Sequence, residues 1–417
     1  MLSLLRRNRD LRALFLAQVI SYGGDWFAFV ALVGLVLELT GSAFSASLIF
    51  VSMTLPTFLA SPVAGAAVDR FDRRRLMTGV LLAQSVAALG LLAVGPSTIW
   101  LAFVAQAVVG ALTAFFSPAS QASLPNLVEP EDLPTATALM SSTWGAMAAV
   151  GAALGGLFAA AFGRQAAFLA DAASFAAAAA LVATLRRPTS RRRSNGPVEV
   201  AMGEGSILAA STRLRPVRDT AEALRHARSN RTLLALLASK TGFGLGAGLI
   251  SIVPAFATAR YRAGEATIGI LLGARGLGVL IGPFLARRAT ATTERILTGC
   301  GVAALAYGAM YLLMPLISSP WLAAVVVLAA HLGGGAQWTL STYGIQVASP
   351  DAMRGRILAA DFALVTLTLS ISSVLGGAVA SRFGPGVAIQ GLAGVSLAWG
   401  SVYLISTRRL RRSLARA

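Results

Sequence analysis

Long apolar stretches separated by short polar turns run the length of the chain. A helix needs about 20 mostly apolar residues to cross a bilayer. Twelve runs reach that length: 12–38, 43–68, 76–95, 98–122, 136–161, 165–185, 232–257, 266–286, 295–316, 320–345, 357–380 and 385–406. Turns such as Gly95-Pro96-Ser97 and Ser318-Ser319-Pro320 divide them. The pattern predicts an all-α polytopic membrane protein with 12 transmembrane helices. The basic stretch Met1 to Arg12 enters the first run directly. That run is too long for a signal-peptide core and no small-residue cleavage site follows, so it reads as a retained span.

Composition agrees. Of 417 residues, 56% are hydrophobic and 12% charged, where a soluble domain is about 25% charged. Too few polar residues remain to coat two or three soluble domains. The net charge of +18 does not point to nucleic acid, because the arginines sit at the ends of apolar runs. Cys300 is the single cysteine, which excludes a disulfide framework. Two histidines and one cysteine make no metal cluster, and no cofactor is expected. Gly242-Phe-Gly244-Leu-Gly246 lies inside an apolar run with no strand before it, so it is not a dinucleotide fingerprint. No Ser/His/Asp arrangement and no paired carboxylates emerge at membrane depth, so the chain is not read as an enzyme.

Charge placement orients the spans. With both termini cytoplasmic, 29 of the 35 Lys and Arg fall in cytoplasmic segments, as the positive-inside rule asks. Arg164, Arg260, Arg262 and Arg382 fall outside, and Lys240 and Arg275 lie within spans. The segment 186–231 carries eleven arginines and no apolar run. It reads as a cytoplasmic linker with a possible basic amphipathic helix over 217–234, attracted to anionic lipid headgroups. It divides the chain into bundles at 1–185 and at 232–417, the latter with a basic tail. Pro62-Val-Ala-Gly65 before Asp69-Arg70 is echoed by Gly278-Val-Leu-Ile-Gly282-Pro before Arg287-Arg288. Val128-Glu-Pro130-Glu131 is echoed by Val347-Ala-Ser-Pro350-Asp351. Two pseudo-symmetric six-helix bundles follow, with a substrate site between them near the midplane.

Six charges crowd into seven residues at Asp69-Arg70-Phe-Asp72-Arg73-Arg74-Arg75, between the second and third runs. With Gly65 this spells Gly-x-x-x-Asp-Arg-x-x-Arg-Arg, and the chain here resembles the major facilitator superfamily. The family's loop has a second Gly where this sequence has Asp72. The segment Leu124 to Leu139 and Arg354-Gly-Arg-Ile357 resemble the exporter branch that includes enterobactin and macrolide efflux proteins. In the fifth run Gly151-Ala-Ala-Leu-Gly155-Gly156 keeps three glycines of the drug–proton antiporter motif, while Met147 and Ala152 replace its first Gly and its Pro. Gln106 stands where those antiporters carry a buried Arg. Small residues let helices approach closely in lipid, either for rocking or for static packing.

The resemblance implies that Gly65, Asp69, Arg70, Arg73 and Arg74 form a conformational latch. Gly65 would let the second helix approach the eleventh. Asp69 would accept from amides at the start of the eleventh, held by the arginines, while the cytoplasmic side is closed. The residues themselves supply no role for Asp72.

Ionisable groups inside spans read as functional by default. Gln18, Tyr22 and Asp25 share one face of the first helix. A carboxylic acid withdrawn from water can exchange its proton near neutral pH, so Asp25 is the candidate for proton coupling or cation recognition. The alternatives are a buried Asp satisfied by a neighbouring helix, or a vestibule position. In the family the first, fourth, seventh and tenth helices line the cavity, which adds Gln106, Lys240 and His331. Lys240 lies about two turns from the cytoplasmic end and reads as snorkelling. His331 suits proton exchange or a hydrogen bond within the bundle. Arg275 is deep and needs a partner, for which Asp361 is the candidate, although Asp361 has the loop arginines as an alternative. Asp171 reads as a packing residue. Trp26, Phe29, Trp144 and Trp338 stand near the cavity helices.

The expectation is a proton-coupled exporter of small amphipathic organic molecules. It would work as a monomer in the bacterial inner membrane, with a small-molecule substrate and protons as partners. A solute importer or facilitator, and a non-transporting receptor or scaffold, are the alternatives.

Overall fold

The computed structural model describes residues 2–187, 189, 225, 229–262, 264–350 and 354–416. Among them are twelve helices long and apolar enough to span a membrane, and no strand. They are α1 (Arg9–Thr40), α2 (Ala43–Arg70), α3 (Arg73–Ala93), α4 (Trp100–Leu127), α5 (Leu133–Phe162), α6 (Arg164–Ala183), α7 (Arg231–Tyr261), α8 (Glu265–Ala286), α9 (Thr293–Leu316), α10 (Pro320–Ala348), α11 (Arg354–Phe383) and α12 (Pro385–Ser406). The expected amphipathic segment 217–234 falls mostly outside the described residues, and α7 begins at Arg231.

Local chemistry fixes the helix ends. Asn8, Ser42, Asp72, Asn230 and Thr292 cap helices by accepting backbone N–H groups, which satisfies donors that would otherwise lie open at a helix start. Gly163 and Gly384 make the one-residue turns from α5 to α6 and from α11 to α12, with φ of 86° and 90°. Only glycine adopts such values without strain. In α7 the regular helix gives way to a 3₁₀ turn over Gly248–Ile252, just before Pro254, whose ring nitrogen has no hydrogen to donate.

The helices pack as two bundles related by a pseudo-twofold. In the first, α1 packs on α5 and α6, α2 on α4, and α3 on α4 and α6. In the second, α7 packs on α11 and α12, α8 on α10, and α9 on α10 and α12. Each contact recurs six helices later. The principal contacts between the halves, α5 with α8 and α11 with α2, obey the same rule. Large apolar side chains such as Val86, Phe284 and Ile405 face outward, as the hydrocarbon of a bilayer requires.

Among the described residues, the close contacts between halves lie toward the face opposite the chain termini. There, a methyl on Gly156 would lie 2.4 Å from the Glu265 carbonyl oxygen and 2.8 Å from the Gly269 Cα. A methyl on Gly377 would meet the Ser47 hydroxyl at 2.0 Å, and the Phe44 amide donates to Ser381 Oγ at 2.9 Å. Gly151 and Gly155 bring α5 onto α1, against the backbone of Gly23 and Phe27. This far face is further joined by Arg164, which reaches Glu38 at 2.7 Å within its own half and Glu265 of the other half at 2.5 Å.

On the terminal face, the first half is stitched to itself. Asp10 accepts from the amides of Arg186 and Arg187 at 3.1 and 2.9 Å. Asn8 and Arg187 donate to the Leu127 carbonyl at 2.8 and 3.0 Å. Arg73 reaches the Ala122 carbonyl at 2.6 Å, and Arg74 that of Leu185 at 2.8 Å.

Candidate functional site

Each half buries polar groups partway along its spanning helices. On α1, Gln18 Nε2 donates to the Met140 carbonyl of α5 at 2.8 Å, and Ser120 Oγ donates to Gln18 Oε1 at 3.3 Å. Tyr22 stands edge-on to Phe116 of α4. Gln106 is buried on α4. Asp25 is half-buried, and its carboxylate has no hydrogen-bond or ion-pair partner among the described residues.

The neighbouring Gly24 matters more than its size suggests. A methyl there would lie 2.0 Å from Ser174 Oγ and 2.7 Å from Asp171 Oδ1 of α6. Glycine therefore lets Asp171 settle against the backbone of α1, one residue from Asp25. Asp171 is buried, its Oδ1 has no partner, and it interacts electrostatically with Asp25. Two carboxyl groups thus share one region at membrane depth. This corrects the expectation that no such pair exists. Adjacency of α1 and α6, which no local pattern encodes, creates the pair.

In the second half, Lys240 does not snorkel. It is buried, and its Nζ binds Asp361 Oδ2 at 2.6 Å and Thr342 Oγ1 at 2.7 Å. The ammonium lies 4.4 Å from the centre of the Trp338 ring. Lys240 is the tenth residue of α7 and Asp361 the eighth of α11, so they lie at nearly equal depth below the terminal face. A carboxylate at matching depth holds the ammonium inside better than a stretched stem could carry it to water.

The pairing of Arg275 with Asp361 is therefore corrected, as is the alternative that Asp361 meets the loop arginines. Arg275 sits midway along α8, 7% exposed, with no carboxylate at ion-pairing distance among the described residues. Its Nε lacks an acceptor. Its guanidinium carbon lies 5.3 Å from the centre of the Trp26 ring on α1 of the other half, a cation–π contact. Beside it, Tyr311 Oη and His331 Nε2 share a hydrogen bond at 2.9 Å. Tyr307 stands edge-on to Phe243 and His331, with ring centres 4.8 and 5.3 Å away. The Tyr307 hydroxyl, fully buried, has no partner. Holding a charged side chain at mid-bilayer costs about 2.5–3.5 kcal/mol or more, and no opposite charge among the described residues offsets it. Phe29 is buried edge-on against Trp26, while the side chain of Trp144 lies outside the described residues.

The charged knot is described in part. The surroundings of Gly65 and Asp69 lie outside the described residues, and Arg70 is exposed. Arg73 and Arg74 bind carbonyls of their own half, as above. Asp72 gains an account: its Oδ1 accepts the Arg75 amide at 2.9 Å and starts α3. Sequence reasoning missed Tyr307, Tyr311 and the Arg164 bridge. The bridge depends on three helix ends meeting, but Glu38, Arg164 and Glu265 all border spans, which was a usable signal.

Comparison with known proteins identifies the class. The Major Facilitator Superfamily description matches residues 14–367, and the chain belongs to that family. It is a membrane transporter of the kind that carries small molecules. The multidrug efflux pump Tap of Mycolicibacterium fortuitum is 27% identical over 398 residues, 91% of each chain. Tap of Mycobacterium tuberculosis (strain H37Rv) is 34% identical over 169 residues, 38% of this chain and 40% of that one. The MFS-type transporter YfiS of Bacillus subtilis is 27% identical over 205 residues, so the match spans 49% of that relative's length. A peptide transporter POT shares the fold with a TM-score of 0.75 at 12% identity, over 98% of this chain and 96% of that one. A bacterial homologue of the human lysosomal transporter Spinster follows at 0.70 and 16%, with the same coverage.

Proposed function

We propose that the chain is a proton-coupled exporter of small amphipathic organic molecules, working by alternating access in the bacterial inner membrane with both termini cytoplasmic. The observation that carries the reading is the Asp25–Asp171 pair. The Asp171 carboxyl lies against the α1 backbone at Gly24, one residue from Asp25, and no Lys or Arg lies inside the six spans of that half away from their ends. Like charges at close quarters in a medium that excludes water cannot both stay ionised cheaply. One proton held there neutralises the site, and its release is favoured when the site opens to water or a cationic group arrives. With the termini in the cytoplasm, the closed far face corresponds to the state that loads substrate from inside. Rocking of the two halves about the α5–α8 and α2–α11 contacts delivers it outward, where Asp69 and its arginines would latch the cytoplasmic side. The efflux function of the Tap relatives points the same way.

The test uses proteoliposomes with an imposed pH difference and ethidium as the transported probe. Wild-type protein should move ethidium against its gradient only while the pH difference lasts. Asp25→Asn should fall to the passive rate, with uphill movement lost and its pH dependence gone. Undiminished, pH-dependent transport by Asp25→Asn would remove the pair from the mechanism.

A further inference from the structure

Lys240 consumes the acid that Arg275 was expected to have, and the consequence concerns the substrate. Arg275 is left as a buried cation whose electrostatic neighbours are Tyr307, Tyr311 and His331, with no carboxylate among them. Tyr311 and His331 satisfy one another. Two buried groups remain without a partner in the same region: Arg275 Nε and the Tyr307 hydroxyl. Both can donate hydrogen bonds. Two buried donors beside one fixed positive charge describe an incomplete anion site.

The walls of that region add a second requirement. Trp26 faces the guanidinium from the other half, and Phe243 and Tyr307 present rings alongside. Aromatic faces favour a flat apolar body over a strongly hydrated inorganic ion. A carboxylate matches the planar guanidinium through two parallel acceptors. The place also lies on the seam, where the Arg275–Trp26 contact joins the halves.

We propose that Arg275 and Tyr307, walled by Trp26 and Phe243, bind the carboxylate of an aromatic organic acid, which makes such acids a substrate class of this transporter. The inference rests on the transport reading of the preceding section but not on proton coupling. It places the anionic end of a substrate in the second half, opposite the carboxyl pair of the first.

The test is calorimetric titration of the purified full-length protein in lipid nanodiscs with 1-naphthoate, its neutral isostere 1-naphthamide, and sodium chloride. Wild-type protein should bind 1-naphthoate at least about tenfold more tightly than 1-naphthamide, the scale of a charge-assisted hydrogen-bonded pair. Arg275→Gln should abolish that preference, and Arg275→Lys should keep part of it. Tyr307→Phe removes only the hydroxyl, so it stays informative if Arg275→Gln does not fold. It should weaken 1-naphthoate severalfold and leave 1-naphthamide unchanged. Equal affinities for acid and amide, a preference that survives Arg275→Gln, absence of saturable 1-naphthoate binding, or chloride fully displacing 1-naphthoate at equal concentration would each overturn the proposal. Failure of proton-driven ethidium transport would count against the exporter reading alone and leave the acid-over-amide preference standing.

Discussion

Gln18 and Lys240 occupy the same place in the two halves. Each is the tenth residue of its helix, and each reaches the eighth residue of the helix four further on, Met140 or Asp361. The first half makes this tie with a neutral amide and a backbone carbonyl. The second makes it with a buried ion pair. A neutral hydrogen bond contributes about 1 kcal/mol and can be exchanged for another acceptor. A buried ion pair adds little net stability, yet losing one partner leaves a bare charge behind. The same geometry therefore gives a forgiving tie on one side and an unforgiving one on the other. The polar chemistry differs accordingly: the first half holds carboxyl groups without a cation, and the second holds a neutralised pair plus the lone Arg275.

The sharpest way to break this contrast is to transplant it. Lys240→Gln alone leaves Asp361 unpaired in the interior and should destabilise the protein by about 3–5 kcal/mol in denaturant unfolding. Adding Asp361→Met recreates the residues of the first half and should recover most of that loss. If the double variant is no better than the single, the two ties are not equivalent.

A smaller effect is expected at the seams. Gly156 and Gly377 are the twenty-fourth residues of α5 and α11. A methyl on Gly156 meets backbone atoms of α8, whereas one on Gly377 meets first the rotatable Ser47 hydroxyl. Gly156→Ala should disfavour closure of the far face by about 1–3 kcal/mol, and Gly377→Ala by clearly less. Spin-label distances across that face read the difference; equal shifts would show that the two seams yield alike.

The smallest contrast concerns helix starts. Asp72 caps α3 and Thr292 caps α9, each accepting the amide of an arginine three residues on. Asp72→Ala and Thr292→Ala should each cost about 1 kcal/mol in the same unfolding measurement. The Asp72 change should cost slightly more, because a negative charge also suits the helix N-terminus.

The architecture was readable because a bilayer imposes one length on every span. The predicted run 385–406 coincides with α12, and 320–345 falls three residues short of α10. Side-chain partners were less legible, since span length says nothing of which helices touch. Distance to water alone misplaces Lys240, whereas counting residues from the terminal ends of α7 and α11 matches it to Asp361. Asp171 looked like filler until Gly24 brought its carboxyl to α1. Gly65 and Asp69 are legible as a motif.

The stitching on the terminal face has a kinetic meaning. Leu127, Ala122 and Leu185 offer carbonyls at or near the ends of α4 and α6 that would ordinarily fray in water, yet side chains of Asn8, Arg187, Arg73 and Arg74 hold them. Fraying of any one of these ends must first release another segment of the same half. In hydrogen–deuterium exchange the last turns of α4 and α6 should therefore exchange together and slowly, as one cooperative unit.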